Sequence, residues 1–217
     1  MRIAIIILAA GSSHRFGPEN KLLAGVGGES LVVHVARNMA AVRLPGARIE
    51  VRAVVTGAVD PVALALAALP ADVRPLSIEN PRSHTGMASS IAAGIASLPP
   101  DTAAALIVPG DMPLLTASPV ERLLAAFIAD GGVRPAHPQR PDGTIAGPVV
   151  WPRSRFSGLM ALQGDNGGRK LLSNAPRVAV SLDAAELAAL ADIDTPADLA
   201  RLAAIVGRPC SIAERKE

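Results

Sequence analysis

The chain has 217 residues, a length that suits one globular domain with a sizeable core. Half of the residues are apolar, yet only three Phe, one Trp and no Tyr occur, so the core must come from Ala, Val, Leu and Ile. A formal charge of +2 and the lack of aromatic stacking platforms argue against nucleic acid as a partner, and the single Cys210 excludes an internal disulfide or a cysteine-rich metal site.

Met1-Arg2 and the apolar run Ile3 to Ala10 have the outline of a short signal peptide, but Gly11-Ser12-Ser13-His14-Arg15 follows without a cleavage pattern. The β-branched run Ile3 to Leu8 reads instead as a buried parallel strand. Ser30 is placed to cap a helix through about Val42, with Leu31, Val35 and Met39 near one face. Ile49 to Val55 reads as a second strand, Asp60-Pro61 opens an Ala/Leu-rich helix, and Val73 to Ile78 reads as a third strand. A helix follows Gly86, and the apolar strand Ala103 to Val108 ends at Pro109-Gly110-Asp111. Ser118-Pro119, a cap with proline in the first turn, predicts a helix to about Ile128.

The Pro- and Gly-rich stretch from Gly131 to Gly147, with Arg134, His137 and Arg140, reads as a strand-loop-strand excursion over the active edge. Helices are expected at Ser154 to Leu162, Gly168 to Leu172 and Pro196 to Ile205. This alternation implies an α/β fold of three layers, α/β/α, around a mostly parallel sheet. One domain over residues 1–206 is expected, followed by a polar tail, 207–217. No uninterrupted apolar stretch reaches the roughly 20 residues a bilayer span needs, so no membrane partner is expected and the cytoplasm is the expected location.

Ligands of open α/β sheets bind beyond the carboxyl ends of the strands, and two such ends carry chemistry. The first is Leu8-Ala9-Ala10-Gly11-Ser12-Ser13-His14-Arg15-Phe16-Gly17, followed by Asn20-Lys21-Leu22-Leu23. Small residues let a polyphosphate approach the backbone amides, while Arg15 and Lys21 supply mobile positive charge. The loop is neither G-x-G-x-x-G nor a Walker A sequence, and a plain turn with solvated Arg15 and Lys21 is the competing reading. The second end is Asp111, a carboxylate suited to hold Mg²⁺ against phosphate oxygens; capping the next turn is its alternative role.

The pattern L-A-A-G-x-S-x-R-F-G with a following N-K-L resembles the MobA-like NTP transferases, and most of all their molybdenum cofactor cytidylyltransferase branch. Further matches follow in order: Asn80-Pro81, Gly86 to Gly94, Gly110-Asp111-Met112-Pro113, Gly147-Pro148-Val149, Gly164 to Arg169, and Asp192-Ile193-Asp194-Thr195-Pro196. They run from Ile3 to about Leu202. The resemblance implies the nucleotide-diphospho-sugar transferase (Rossmann-like) type of fold.

It also implies roles. Leu8, Ala9, Ala10, Gly11, Ser12, Ser13 and Lys21, with Gly86, Met87, Ser89 and Ser90, would bind the nucleotide. Arg15, Lys21 and Asp111 would be catalytic, and Asp111 with a late carboxylate would hold the metal. Asp194 matches that late position best and Asp192 is its neighbour; capping the helix that starts at Thr195-Pro196 is the other role open to Asp194. Asp165 and Arg169 would face the acceptor, with a mere Gly-Asp turn as the plainer alternative. Ala88 stands where the family often has serine, and Gly147 where it often has a polar residue. His34 reads as structural, while His14, His84 and His137 are expected in loops without metal-ligand spacing.

The implied reaction is Mg²⁺-dependent transfer of CMP from CTP to the phosphate of molybdenum-bearing molybdopterin, with release of pyrophosphate. Ala10 favours CTP, since the guanylyltransferase branch tends to carry glycine there. GTP as donor, a sugar or alcohol phosphate as acceptor, or a non-catalytic nucleotide-binding partner of a molybdoenzyme are the alternatives.

Overall fold

The computed structural model describes residues 1–11, 20–173, 176–206 and 210–211. In chain order the strands are β1 (Arg2–Leu8), β2 (Gly25–Val26), β3 (Glu29–Ser30), β4 (Arg48–Val55), β5 (Leu76–Glu79), β6 (Thr102–Pro109), β7 (Ala136–Gln139), β8 (Val149–Pro152), β9 (Val178–Ser181) and β10 (Cys210–Ser211). The helices are α1 (Leu31–Ala40), α2 (Pro61–Ala67), α3 (Met87–Ala96), α4 (Ala117–Ala129), α5 (Phe156–Met160), α6 (Arg169–Ser173), α7 (Ala184–Ala188) and α8 (Pro196–Val206).

Seven strands form one sheet in the order β5-β4-β1-β6-β8-β7-β9. β8 pairs antiparallel with both β6 and β7, while the other pairings are parallel, so β8 alone runs against the rest. The carboxyl ends of β1, β4, β6, β7 and β9 therefore share one edge of the sheet. The period-2 alternation of a strand splits β1 between two cores. Ile3, Ile5 and Ile7 pack with α1, α2 and α4, whereas Ile6 packs on the other face with Ile91 and Ile95 of α3, Trp151 and Phe156. A third cluster, Leu31 with Ile193, Leu199 and Leu202, docks α8. A small second sheet, β10-β2-β3, pairs Cys210 with Val26.

The helix starts follow local chemistry. Asp60 accepts the Val62 amide at 2.9 Å ahead of Pro61, as its sequence predicts. Ser30 stands at the α1 cap position without a side-chain cap bond. α4 begins two residues before the expected start: Thr116 is the cap, and Ser118 lies inside the first turn with Pro119. The third strand is also displaced, since β5 starts only at Leu76. The Gly131 to Gly147 excursion does contain a strand, β7, and this moves His137 out of a loop. His137 is 1% exposed in β7, and burial holds its pKa below the ordinary value. No helix among the described residues is long and apolar enough to cross a membrane.

Candidate active site

Strand order reverses between β1 and β6, the switch point at which such sheets bind ligands. There the Gly110 amide donates to the Leu8 carbonyl at 3.0 Å, so the chain leaving β6 crosses the end of β1. A Cβ at Gly110 would stand 2.8 Å from that carbonyl oxygen, so close approach demands glycine. Asp111 is thereby delivered to a cleft of about 440 Å³. Leu8, Ala10, Gly11, Lys21 and Asp111 line one side of it, and Ser83 to Met87, Ser90 and Asp165 the other.

Lys21 begins a short 3-10 turn, Lys21–Leu23, which Asn20 fixes by accepting the Leu22 amide at 3.1 Å. Its Nζ lies 2.5 Å from Asp111 Oδ2 and 2.8 Å from Asp194 Oδ1. Burial alone would lower the lysine pKa, but Asp111 first and then Asp194 outweigh it, and the net shift is upward. The group is a fixed ammonium between two carboxylates.

Asp194 reaches this point from the far end of the sequence because the Ile193 amide donates to the Asp111 carbonyl at 3.0 Å. The capping role left open for Asp194 belongs to its neighbour. Asp198 accepts the Thr195 amide at 2.8 Å, and its own amide donates to Thr195 Oγ1 at 3.2 Å, a reciprocal cap on α8. Asp194 keeps its side chain for Lys21. Asp192 belongs to the same acidic group. Its side chain reaches solvent, yet partial burial, followed by the charges of Asp111 and Asp194, pushes its pKa up to about 6.

Asp111 Oδ1 is buried with no hydrogen-bond partner among the described residues. An unpaired buried carboxylate oxygen is costly, and a cation satisfies it. Asp111 and Asp194 already converge on one positive centre, the Lys21 ammonium. Magnesium is held by one or two carboxylates plus phosphate oxygens and water, so the pair fits such an ion. Among the described residues no group of three His, Cys, Asp or Glu stands ready to cage a metal. Phosphate oxygens and water would complete such a set.

The opposite wall differs from expectation in one respect. The first α3 amides, which a helix start leaves without intrahelical partners, are already engaged. Asp165 Oδ1 accepts the Met87 amide at 3.2 Å, and the Gly164 carbonyl accepts the Ala88 amide at 2.9 Å. Gly86 makes this closure possible. Its φ is +112°, and a Cβ there would lie 2.5 Å from the Gly164 carbonyl carbon. The serine hydroxyls are also committed: the buried Asn80 amide donates to Ser89 Oγ at 2.9 Å and to Ser90 Oγ at 3.1 Å.

Thus Leu8, Ala10, Gly11, Lys21, Gly86, Met87, Ser90, Asp111 and Asp165 meet at one cleft, with Asp194 on its lysine. Ala9 is instead core, 1% exposed. Ser89 faces Asn80 and the Arg82 carbonyl, and Arg169 opens α6 away from the cleft lining. Asp165 forms no ion pair with Arg169 among the described residues; its partner is α3. Ser12, Ser13, His14 and Arg15 lie outside the described residues. Ser83, His84 and Thr85 form a wall that the sequence reading missed, because a three-residue turn has no periodicity to reveal it.

A family model described as the MobA-like NTP transferase domain matches residues 5–180. The bifunctional protein GlmU of Micrococcus luteus is 33% identical over 133 residues, 59% of this chain but only 26% of GlmU, so the chain matches about a quarter of that relative's length. Among solved structures, a homologue of Mycobacterium tuberculosis Rv0371c from Mycobacterium sp. strain JC1 superposes with a TM-score of 0.73 at 24% identity, covering 94% of this chain and 96% of that one. Rv0371c of M. tuberculosis in complex with manganese gives 0.67 at 20% identity, covering 94% and 99%. Molybdopterin-guanine dinucleotide biosynthesis protein A of Archaeoglobus fulgidus gives 0.70 at 18% identity, covering 95% and 99%. These structural likenesses establish the fold.

Proposed function

The chain belongs to the MobA-like NTP transferase family, a family of nucleotidyltransferases, and from that premise we propose that it moves CMP from CTP onto the phosphate of molybdenum-bearing molybdopterin. An oxygen of the acceptor phosphate attacks the α-phosphorus of CTP and forms a new P–O bond. The bond to the β-phosphate bridging oxygen breaks, and pyrophosphate departs. Such a displacement needs positioning and neutralisation of charge more than a protein nucleophile.

The observation that carries this reading is the Lys21 ammonium held between Asp111 and Asp194 at a strand-end cleft. A non-catalytic binding module has no need of two carboxylates gathered on one cation beside a cleft of about 440 Å³. Lys21 offsets charge on the departing pyrophosphate, and Arg15 shares that work. Gly11 lines the cleft and presents backbone to the phosphates. With the first α3 amides closed off by Gly164 and Asp165, the phosphates belong on the Gly11 and Lys21 side, and the nucleoside lies along residues 83–87.

Asp111 and Asp194, with Asp192 beside them, would hold a magnesium ion that neutralises phosphate charge when bound. A manganese complex of a structural neighbour supports divalent metal use. Ala10, on the cleft wall, supports CTP over GTP. Arg169 is assigned to the acceptor side, while Asp165, bonded to Met87, belongs to the wall along which the nucleoside lies.

Pyrophosphate release from CTP and from GTP, each with and without molybdenum cofactor, tests the proposal. Release that needs both CTP and the cofactor supports it. A strong preference for GTP, or release with a sugar phosphate alone, would overturn the donor or the acceptor assignment respectively.

A further inference from the structure

A second concavity lies on the same edge of the sheet. It holds about 340 Å³ at the carboxyl ends of β7 and β9, and Gln139, Arg140, Pro141, Gly143, Ser181 and Leu182 line most of it. Among the described residues no carboxylate contributes to that lining, and Arg140 is its only charged group. The backbone of Arg140 is held in a tight turn. Its amide donates to the Thr144 carbonyl at 3.0 Å, and the Gly143 amide donates to the Arg140 carbonyl at 2.9 Å. The nearest acid in sequence, Asp142, is committed to Thr144, whose amide and hydroxyl donate to it at 2.9 and 2.7 Å. The exposed Arg140 side chain makes no hydrogen bond or ion pair with any described residue.

Position makes this more than a solvated arginine. After β9 the chain runs from Leu182, through α7, back to the amide of Ile193 on the Asp111 carbonyl. One short segment therefore joins the groove to the acidic group that holds Lys21.

We propose that this groove receives the phosphate of the acceptor, with Arg140 as its charge partner. The inference rests on the nucleotidyl-transfer reading and gives its acceptor a place. Two polyanions must be brought together for the reaction, and a guanidinium fork on the acceptor side offsets their repulsion. Ser181 and Gln139 add neutral donors around the same space. The acceptor class is a phosphomonoester that enters with its phosphate beside β7, opposite the departing pyrophosphate.

Two measurements on Arg140→Ala and Arg140→Lys test this. With molybdopterin as acceptor, Arg140→Ala should raise the acceptor KM about tenfold or more, leave the KM for CTP within about twofold, and be partly rescued by Arg140→Lys. An unchanged acceptor KM, or an equal rise for CTP, would overturn the assignment. Independently of any transfer, titration with inorganic phosphate should shift the backbone amide resonances of Gly143 and Thr144 in the parent protein and not in Arg140→Ala. Equal shifts in both, or none in either, would reject the subsite. If no acceptor supports transfer while the phosphate shifts persist, the transfer reading fails and the anion subsite stands.

Discussion

The amide of Ile193 donates to the carbonyl of Asp111 at 3.0 Å, and this one bond puts two neighbouring acids, Asp192 and Asp194, beside a third. Main-chain geometry sets the spacing of the cluster, and the Lys21 ammonium joins two of its members. Side-chain changes there should alter chemistry before they alter the fold.

Lys21→Ala should lower the rate of pyrophosphate release about 10²- to 10³-fold, the range seen when a charge-stabilising donor is removed from an active site. Far-UV circular dichroism should be unchanged. A near-parental rate would remove Lys21 from the mechanism.

Asp111→Asn should weaken the response to divalent metal, because Asp111 Oδ1 is the buried atom left without a partner. Rates measured across a magnesium titration should show the apparent metal affinity falling at least about tenfold, in keeping with the loss of one carboxylate proposed to hold the metal. An unaltered titration curve would reassign the metal.

Asp192 predicts a pH dependence. Its pKa of about 6 lies above the ordinary aspartate value, so the folded state binds more protons than the unfolded chain between about pH 4 and 6. This contribution to stability is greatest below that window and is lost as pH rises through 6. Asp192→Asn should therefore raise Tm at pH 8 and leave it little changed at pH 4. Solvent screening limits the gain to about 1 kcal/mol, or a few degrees. Equal shifts at both pH values would contradict the linkage.

Gly86→Ala places a Cβ 2.5 Å from the Gly164 carbonyl carbon in a backbone conformation with φ of +112°. Strain of this kind costs about 1–3 kcal/mol, and the fall in thermal midpoint should be several degrees. Amide exchange should locate the disturbance at Met87 and Ala88. Thr195→Ala removes a helix cap worth about 1 kcal/mol and should loosen α8 without changing the metal titration. That separates capping from the role given to Asp194.

Much of the frame was legible because β1 and β6 are unbroken apolar runs, and Asp60-Pro61 and Thr195-Pro196 are strong helix starts. β7 was obscured by its composition. The excursion was expected to hold a strand, but Pro138 lacks an amide hydrogen and the strand meets β8 only through Ala136, so no alternation fixed its bounds or placed His137 within it. The two-residue strands β2, β3 and β10 are too short to carry a period. At the site, Lys21 and Asp111 were visible as residue types beyond strand ends, and Asp194 through the family resemblance. The closure of α3 by Asp165 was not, since it depends on a turn 78 positions away in sequence.

The contact between Lys21 and Asp194 spans 173 positions, and this governs when the clamp can first close. A growing polypeptide can pair the lysine with Asp111 once β1 and β6 have zipped together. The other arm is absent until Asp194 itself has been translated. At about 5–20 residues per second, the stretch between Asp111 and Asp194 is a wait of seconds, during which the lysine has one carboxylate where the folded chain gives it two.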